Sequence, residues 1–242
     1  DDSSANRSFN FQVGPSDLRG KKLGVHRSEF GLSQSEHTGR VFQEALDAFA
    51  NMGVILEDIS FPLRPTGALF TTIVTAESGT IFRPLFDDGR AAGMFTFNAD
   101  RAAGWMAGRM MPVADYLTAQ RIRNQLKREA DEIVSRYDAV IAPTWPNGAA
   151  LREVSQGWPI PARNEWEPPN DLSAQTPRLN YIANLVGHPG LAIPCGFDED
   201  GLPLSLQIVG SAFDEQAVLD FGMGFQRETD WHLRRPQYPW RE

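Results

Sequence analysis

The chain has 242 residues, of which 41% are apolar, with 23 Lys and Arg against 31 Asp and Glu. This composition predicts a soluble globular protein and excludes disorder as its main state, because apolar residues are plentiful and the charges are mixed in sign. The sequence has no run of 18 apolar residues, so we expect no membrane partner. A net charge of −8 without a strong basic cluster argues against a nucleic-acid partner.

Cysteine usage limits the chemistry further. Cys195 is the only cysteine, so an internal disulfide and a Cys₂His₂ zinc site are both excluded. The first residues, DDSSANRSFNFQ, are polar and acidic and do not resemble a signal peptide. These features favour a cytoplasmic protein, although a single cysteine also suits an exported one, and we expect no metal and no cofactor.

The N-terminal part predicts a βαβ unit. Residues 21–25 form a short apolar run typical of a strand. Residues 35–52 carry apolar side chains at the helical period and end at Gly53. Residues 54–61 predict a second strand, so the two strands should run parallel.

Residues 63–111 are less regular. They predict short helical pieces interrupted by glycines, namely Gly89, Gly93, Gly104 and Gly108. The aromatic and methionine side chains between Phe82 and Met111 are more typical of a core than of a pocket.

A long helix and a long loop follow. Residues 112–137 predict the clearest helix of the chain, which Pro112 opens. Residues 138–142 predict a short strand. Residues 143–171 show no periodicity and are rich in Pro and Trp, which favours a functional loop.

The C-terminal part predicts two helices and two strands. The helices are expected at 172–186 and 213–228, and the strands at 191–194 and 204–209. With no repeat and no linker, we expect one domain over residues 1–242. Its predicted fold class is α/β, with a mixed, mostly parallel sheet flanked by helices.

Candidate chemical groups are isolated in the sequence. Phosphate-binding, dinucleotide-binding, zinc-protease and nucleophile-elbow motifs are absent. We expect surface or hydrogen-bonded structural roles for the four histidines, His26, His37, His188 and His232. Cys195 predicts a buried, inert thiol. We expect solvated positions for the remaining charged groups, Asp87–Asp88, Glu199–Asp200 and the basic cluster Arg121, Arg123, Lys127 and Arg128.

The region from Thr176 to Phe213 resembles the C-terminal block of the amidase signature family. Four segments carry the resemblance: Asn184-Leu-Val-Gly-His-Pro189, Pro194-Cys-Gly-Phe197, Gly201-Leu-Pro203 and Gln207-Ile-Val-Gly210. Further matches in the family's order are Leu18 to Val25, Asp115-Tyr116, Arg123 and Tyr137 to Thr144. The resemblance covers about residues 16 to 236.

The resemblance implies an amide hydrolase with a Ser–Ser–Lys triad, in which lysine activates the nucleophilic serine through a second serine. In the family these residues lie in the N-terminal half. This chain has no Gly-Gly-Ser-Ser segment, and its only lysines are Lys21, Lys22 and Lys127. We therefore expect the C-terminal half of an amidase fold, without catalytic residues and inactive alone. The N-terminal half would be its partner, either as a second chain or as a missing segment.

Three functions remain open from the sequence. The first is the C-terminal portion of an amide or ester hydrolase, which supplies scaffold and pocket walls and can form a homodimer once assembled. The second is a non-catalytic binding or structural subunit. The third is a component of a tRNA-dependent amidotransferase.

The candidate substrate site lies after the strand at 138–142. By resemblance, the loop that begins at Thr144 lies near the catalytic serine. Apolar and aromatic walls with few polar groups are typical of small-molecule sites. We therefore expect an apolar, aromatic amide or ester as the substrate, with Trp145, Trp166 and Trp105 as wall residues and Thr144 as a polar contact.

Overall fold

The structure, a computed structural model, describes residues 11–12, 17–33, 35–90, 99–148 and 178–234. Its strands are β1 (Lys22–Val25), β2 (Ile55–Asp58), β3 (Ala139–Pro143), β4 (Gly190–Phe197) and β5 (Pro203–Val209). Its helices are α1 (Arg27–Phe30), α2 (Glu36–Asn51), α3 (Thr66–Ile81), α4 (Arg83–Asp87), α5 (Ala99–Gly108), α6 (Val113–Val134), α7 (Leu179–Val186) and α8 (Glu215–Glu228), followed by a 3₁₀ turn, Trp231–Leu233. None of these helices is both long and apolar enough to cross a bilayer.

The chain divides into two compact units. The first comprises Asp1–Ile59, Val134–Gly148 and His188–Glu242, and the second comprises Ser60–Ile133 and Ala149–Gly187. All five strands lie in the first unit with α1, α2 and α8. The second unit holds α3, α4, α5, α7 and nearly all of α6. Each unit is assembled from separate segments, so the chain passes between the two units repeatedly. A single domain over residues 1–242 stays a prediction.

The first unit is built on a mixed five-stranded sheet in the order β2-β1-β3-β5-β4. β1 runs parallel to both β2 and β3. β5 runs antiparallel to β3 and β4, so the sheet changes direction between β3 and β5. The predicted βαβ unit is confirmed, as is the mixed sheet flanked by helices.

One face of the sheet is covered by α2 and α8. Ser35 accepts a hydrogen bond from the Thr38 amide and so begins α2, whose apolar side then packs on the strands. Phe49 of α2 stacks on Phe225 of α8 with ring centroids 5.1 Å apart, and meets Phe221 edge-on at 6.1 Å. Burying each of these rings contributes about 1.5–3 kcal/mol to the free energy of unfolding.

The second unit is held by two features of its helices. α3 and α5 approach so closely that glycines line their contact. A Cβ atom at Gly79 would lie 2.5 Å from the carbonyl oxygen of Trp105, and one at Gly108 would collide with the carbonyl of Thr75. An ion pair joins the start of this unit to α6, because Arg64 binds both carboxylate oxygens of Glu129.

Arg123 of α6 corrects one expectation. It was expected on a solvated helix face, but its side chain is half-buried and donates a hydrogen bond to the carbonyl of Leu185 in the last turn of α7. A cation at a helix carboxyl end is favoured by the helix dipole. Arg121 and Arg128 of the same cluster are exposed, as expected.

The described part of 63–111 contains separate helices, as predicted, but the sequence did not give their bounds. Residues Thr66–Ile81 form one continuous helix, whose apolar and small residues are spread around its circumference and so give no one-sided pattern. Gly104 lies inside α5 rather than interrupting it, whereas Gly89 and Gly108 do lie at ends. Gly93 lies outside the described residues.

Most other boundaries agree within a few residues. α6 ends at Val134, before the predicted residue 137, and α8 begins at Glu215 rather than 213. β4 extends to Phe197, past the predicted end at residue 194. The helix predicted at 172–186 begins at Leu179, because the preceding residue, Arg178, is extended. Residues 149–177, which include most of the predicted loop, lie outside the described ranges.

The glycines of the α3–α5 contact give a test of the second unit. Gly79→Ala and Gly108→Ala should each lower the free energy of unfolding by about 1–3 kcal/mol, because the added methyl group has no space. Urea denaturation followed by circular dichroism measures this change.

Gly104→Ala is the matched control. A Cβ atom there meets no atom within 4 Å, so the substitution should leave stability unchanged or raise it by about 0.5–1 kcal/mol through helix propensity. Equal effects at all three positions would contradict the close packing of α3 on α5.

Candidate functional site

The candidate site lies at the carboxyl ends of β1 and β3. These strands are parallel, with Val25 opposite Ile141, so the segments that follow them begin side by side. The His26 amide donates to the carbonyl of Ile141 over 3.0 Å and fixes the first of these segments. Ligands in open α/β sheets bind outside the carboxyl ends of the strands, where such loops can reach them.

Thr144 leaves β3 with its backbone held and its hydroxyl unsatisfied. Its amide donates to the carbonyl of Ser205 over 2.9 Å, which continues the β3–β5 pairing. Its Oγ1 is buried and has no hydrogen-bond partner among the described residues. An unsatisfied buried hydroxyl costs about 1–3 kcal/mol. A ligand atom at this position would recover that free energy.

Gln207 secures the strand end beside Thr144. Its side chain is buried, and its Nε2 donates to the carbonyl of Pro143 over 3.3 Å. The amide therefore supports the position of the Pro143–Thr144 peptide from the neighbouring strand β5. The sequence included Gln207 in the family resemblance without giving it this contact.

Trp145 is the exposed aromatic residue of this edge. Its side chain is 55% exposed although it directly follows the buried residues of β3. Gly148, three residues later, lies against the carboxylate of Asp198, and this carboxylate accepts hydrogen bonds from the amides of Asp200 and Leu202. The start of the Trp- and Pro-rich loop is thus fixed against the β4–β5 turn.

The other two predicted wall residues are Trp105 and Trp166. Trp105 belongs to the second unit, where it stacks on Phe82 with centroids 4.5 Å apart and meets Phe86 edge-on. These contacts are typical of packing. Trp166 lies outside the described residues. The roles of Thr144, Trp145, Trp166 and Trp105 in substrate binding stay predictions.

The second unit contains cavities of its own. One has a volume of about 450 Å³ and the other about 460 Å³, and both lie along α3 and α6. They contain none of the predicted site residues. Their size falls in the range of small-ligand sites, and their walls are mainly apolar. Thr80, Arg109, Glu77 and Tyr116 are polar residues of the first cavity, and the Tyr116 hydroxyl donates to the Glu77 carboxylate over 3.0 Å.

All three lysines of the chain form ion pairs. Lys21 binds Asp138 over 2.8 Å and Lys22 binds Glu57 over 2.9 Å, and these hydrogen bonds raise the pKa of both lysines. Lys127 pairs with Asp131 on the same helix at 3.2 Å. A lysine that acts as a base must lose its proton near neutral pH, so raised pKa values are the opposite of what this role requires.

The acidic pairs are not acid–base couples. Asp87 pairs with Arg83 and Arg109, and Asp88 pairs with Arg90, and these hydrogen bonds lower the pKa of both carboxyl groups. Glu199 has a lowered pKa through its own backbone amide and through Ser35. Among the described residues, no three His, Cys, Asp or Glu side chains are grouped as metal ligands.

Sequence reasoning missed one cluster, which follows β1. His26 and Glu29 are both buried, with His26 Nε2 3.8 Å from Glu29 Oε1. The hydroxyl of the exposed Ser28 lies 3.4 Å from His26 Nδ1. The only signal in the sequence is the short spacing His-Arg-Ser-Glu, which does not reveal that two of the four side chains are buried.

Cys195 is an inert thiol, as predicted. It is buried in the core beneath α2 and α8, and burial raises its pKa to about 12. At pH 8 roughly one thiol in ten thousand is then ionised, and the thiolate is the reactive form.

The thiol makes a direct probe of this core. We expect the folded chain to react negligibly with an aromatic disulfide reagent at pH 8, and the urea-denatured chain to release one equivalent of aromatic thiolate. Because no other cysteine exists, Cys195→Ala gives the zero baseline. Rapid reaction of the folded chain would contradict the buried position.

Comparisons with known proteins agree with this architecture. A family model described as Amidase matches residues 1–219. A glutamyl-tRNA(Gln) amidotransferase subunit from Acaryochloris marina is 31% identical, and the match covers 91% of this chain and 48% of that protein. The corresponding protein from Oceanobacillus iheyensis is 29% identical, with 91% and 47% covered.

Solved structures show the same fold. A bacterial aryl acylamidase of the amidase signature family superposes with a TM-score of 0.65 at 18% identity and covers 91% of this chain and 47% of that one. The glutamyl-tRNA(Gln) amidotransferase subunit from Thermotoga maritima gives 0.59 at 22% identity, with 89% and 44% covered. The chain spans about half the length of the relatives it matches. The extent of the family match, across most of its residues, shows that the chain belongs to the amidase family.

Proposed function

We propose that this chain is the C-terminal portion of an amide hydrolase whose Ser–Ser–Lys triad lies on an N-terminal half. One observation carries the proposal. The chain belongs to the amidase family, yet each of its three lysines is bound to a carboxylate. Acyl transfer by an activated serine needs a base, and none of these lysines provides it.

The partner is therefore the N-terminal half, as a separate chain or as a preceding segment. β4 is an edge strand of the described sheet, eight residues long and without a charged side chain. Long uncharged edges pair readily with another strand. β2, at the other edge, is four residues long and bears Glu57 and Asp58. This difference favours β4 as the edge that continues the sheet.

The substrate we propose is an apolar amide or ester with an aromatic group. Trp145 offers an exposed indole at the carboxyl end of β3, and Thr144 offers a hydroxyl without a partner in the described part of the chain. An aromatic wall with one polar group can bury an aromatic ring and orient its amide. Trp166 and Trp105 remain further wall candidates.

A second function is favoured by the sequence relatives. Both relatives named above are glutamyl-tRNA(Gln) amidotransferase subunits, with identities of 31% and 29%. In that case the assembled enzyme would release ammonia from glutamine for transfer to an aminoacyl-tRNA, rather than hydrolyse a free aromatic amide. A purely structural subunit, the remaining alternative, would give neither activity.

The first test concerns the missing half. The chain alone should hydrolyse aryl amides and glutamine at least roughly 10⁴-fold more slowly than the chain mixed with its N-terminal half, because the triad is absent. Release of the aryl amine or of ammonia measures the reaction and separates the two functions.

Two controls accompany this assay. Lys127→Met should leave the activity of the assembled enzyme unchanged, because Lys127 is engaged with Asp131. Turnover by the chain alone that disappears in Cys195→Ala or His188→Ala would reveal a catalytic residue in this half and refute the proposal.

The second test concerns Thr144 in the assembled enzyme. Thr144→Val removes a buried hydroxyl without a partner in the described chain, so stability should hold or rise. The same change should raise the KM for the substrate about 3- to 10-fold, as expected for one lost hydrogen bond. Thermal unfolding and steady-state kinetics give the two readouts.

Thr144→Ser keeps the hydroxyl and should retain the KM. Trp145→Ala should raise the KM for aromatic amides more than for small aliphatic ones, with little loss of stability since the side chain is exposed. Trp105→Ala should lower stability through its lost stacking on Phe82. Unchanged kinetics in both Thr144→Val and Trp145→Ala would remove these residues from the substrate site.

A further inference from the structure

We propose that Ser28 is a base-assisted nucleophile that accepts acyl groups from activated aryl esters. The site is formed by Ser28, His26 and Glu29, all within the first unit. It requires no residue of an N-terminal half, and its reactivity is separate from amide hydrolysis by the assembled enzyme.

The three side chains are arranged as nucleophile, base and orienting carboxylate. Ser28 Oγ lies 3.4 Å from His26 Nδ1, and His26 Nε2 lies 3.8 Å from Glu29 Oε1. The two ring nitrogens thus face different partners. A carboxylate beside Nε2 favours the tautomer that carries its proton there and leaves the Nδ1 lone pair directed at the serine hydroxyl.

Burial and exposure are distributed as such a site requires. The imidazole and the carboxylate are 1% and 2% exposed. Water therefore cannot screen the carboxylate, and the packed ring cannot rotate freely. Ser28 is exposed, so an electrophile can reach its hydroxyl. Distances of 3.4 and 3.8 Å are longer than tight hydrogen bonds, as is common for catalytic groups before a ligand binds.

The backbone holds this geometry. The His26 amide donates to Ile141 of β3 and the Glu29 amide donates to the His26 carbonyl, each over 3.0 Å. The cluster is therefore attached to the central part of the sheet, and Ser28 lies on the single turn that the second bond closes. Groups held in place before a reaction need little reorganisation during it.

Two nearby serines lack this arrangement. Ser33 donates its hydroxyl hydrogen to the carbonyl of Ser35 over 3.0 Å. Ser35 donates to Glu199 and accepts from the Thr38 amide, both at 3.0 Å. Neither of these contacts involves an imidazole, so Ser33 and Ser35 serve as internal controls.

The reaction is a single acyl transfer. A lone pair of Ser28 Oγ attacks the carbonyl carbon of the aryl ester, and the hydroxyl proton passes to His26 Nδ1. The bond from carbon to the aryloxy oxygen breaks, and the phenolate leaves with the electron pair. The products are an O-acyl Ser28 and an imidazolium at His26, whose charge Glu29 balances.

The experiment uses the full 242-residue chain and p-nitrophenyl acetate. Release of nitrophenolate is followed by absorbance, and the acetylated residue is located by tandem mass spectrometry. Trypsin cleavage after Arg27 and Arg40 places Ser28, Ser33 and Ser35 on one peptide. We expect acetylation of Ser28 about 100-fold faster than that of the other two, the lower end of the effect of a positioned base.

Variants assign the roles. Ser28→Ala should lower modification of this peptide to the slow rate of Ser33 and Ser35, and His26→Gln should slow acetylation of Ser28 about 100-fold. Glu29→Gln keeps the side-chain size and should slow it about 10-fold. His37→Gln is the matched control, because His37 Nε2 contacts the carbonyl of Phe197 and no serine hydroxyl.

Several outcomes would overturn the proposal. The first is equal acetylation of Ser28, Ser33 and Ser35 in the unmodified chain, a comparison that needs no substitution. The second is a His26→Gln or Glu29→Gln variant that retains the wild-type melting temperature and the wild-type rate. If these buried substitutions prevent folding, the comparison of the three serines decides alone.

Discussion

The structure depends on the pairing of β3 with strands of opposite direction. β3 is parallel to β1 on one side and antiparallel to β5 on the other, and all five of its residues are buried. A strand buried on both faces must satisfy every backbone group through its neighbours. The β1 pairing brings the segment after β1 beside the segment after β3. The β5 pairing brings Gln207 and Ser205 to the same place. The candidate site is a consequence of these two registers.

The sequence predicts the fold best where local signals and packing agree. The βαβ unit has a capped, one-sided helix between two apolar runs, and it forms as predicted. The bounds of α3 were not predicted because its apolar and small residues do not mark one face. Gly104 was interpreted as a break because a glycine that interrupts a helix and one tolerated within it look alike in sequence. The space around each glycine, which separates these cases, is a tertiary property.

The candidate site shows the same division between local and tertiary information. Thr144 and Trp145 were identified because they follow a predicted strand and because the family resemblance implies that this loop lies near the catalytic serine. The sequence does not show whether each of these side chains is buried, exposed or paired. A buried hydroxyl without a partner in the described chain, an indole that is 55% exposed and a buried His26–Glu29 pair all depend on distant segments. The lysines are the clearest example, since only the structure shows that each is held by a carboxylate.

Two buried polar features lie at one edge of the sheet, and both lower the stability of the fold. Burying the hydroxyl of Thr144 and the pair His26–Glu29 is unfavourable, because polar and charged groups lose their hydration on folding. Both features follow neighbouring strands, β3 and β1, whereas the core cluster beneath α2 and α8 is apolar. Packing alone would favour apolar residues at the edge as well. These polar groups agree with the expectation of a ligand or partner at this edge, and the apolar core beneath the helices supplies the stability that permits them.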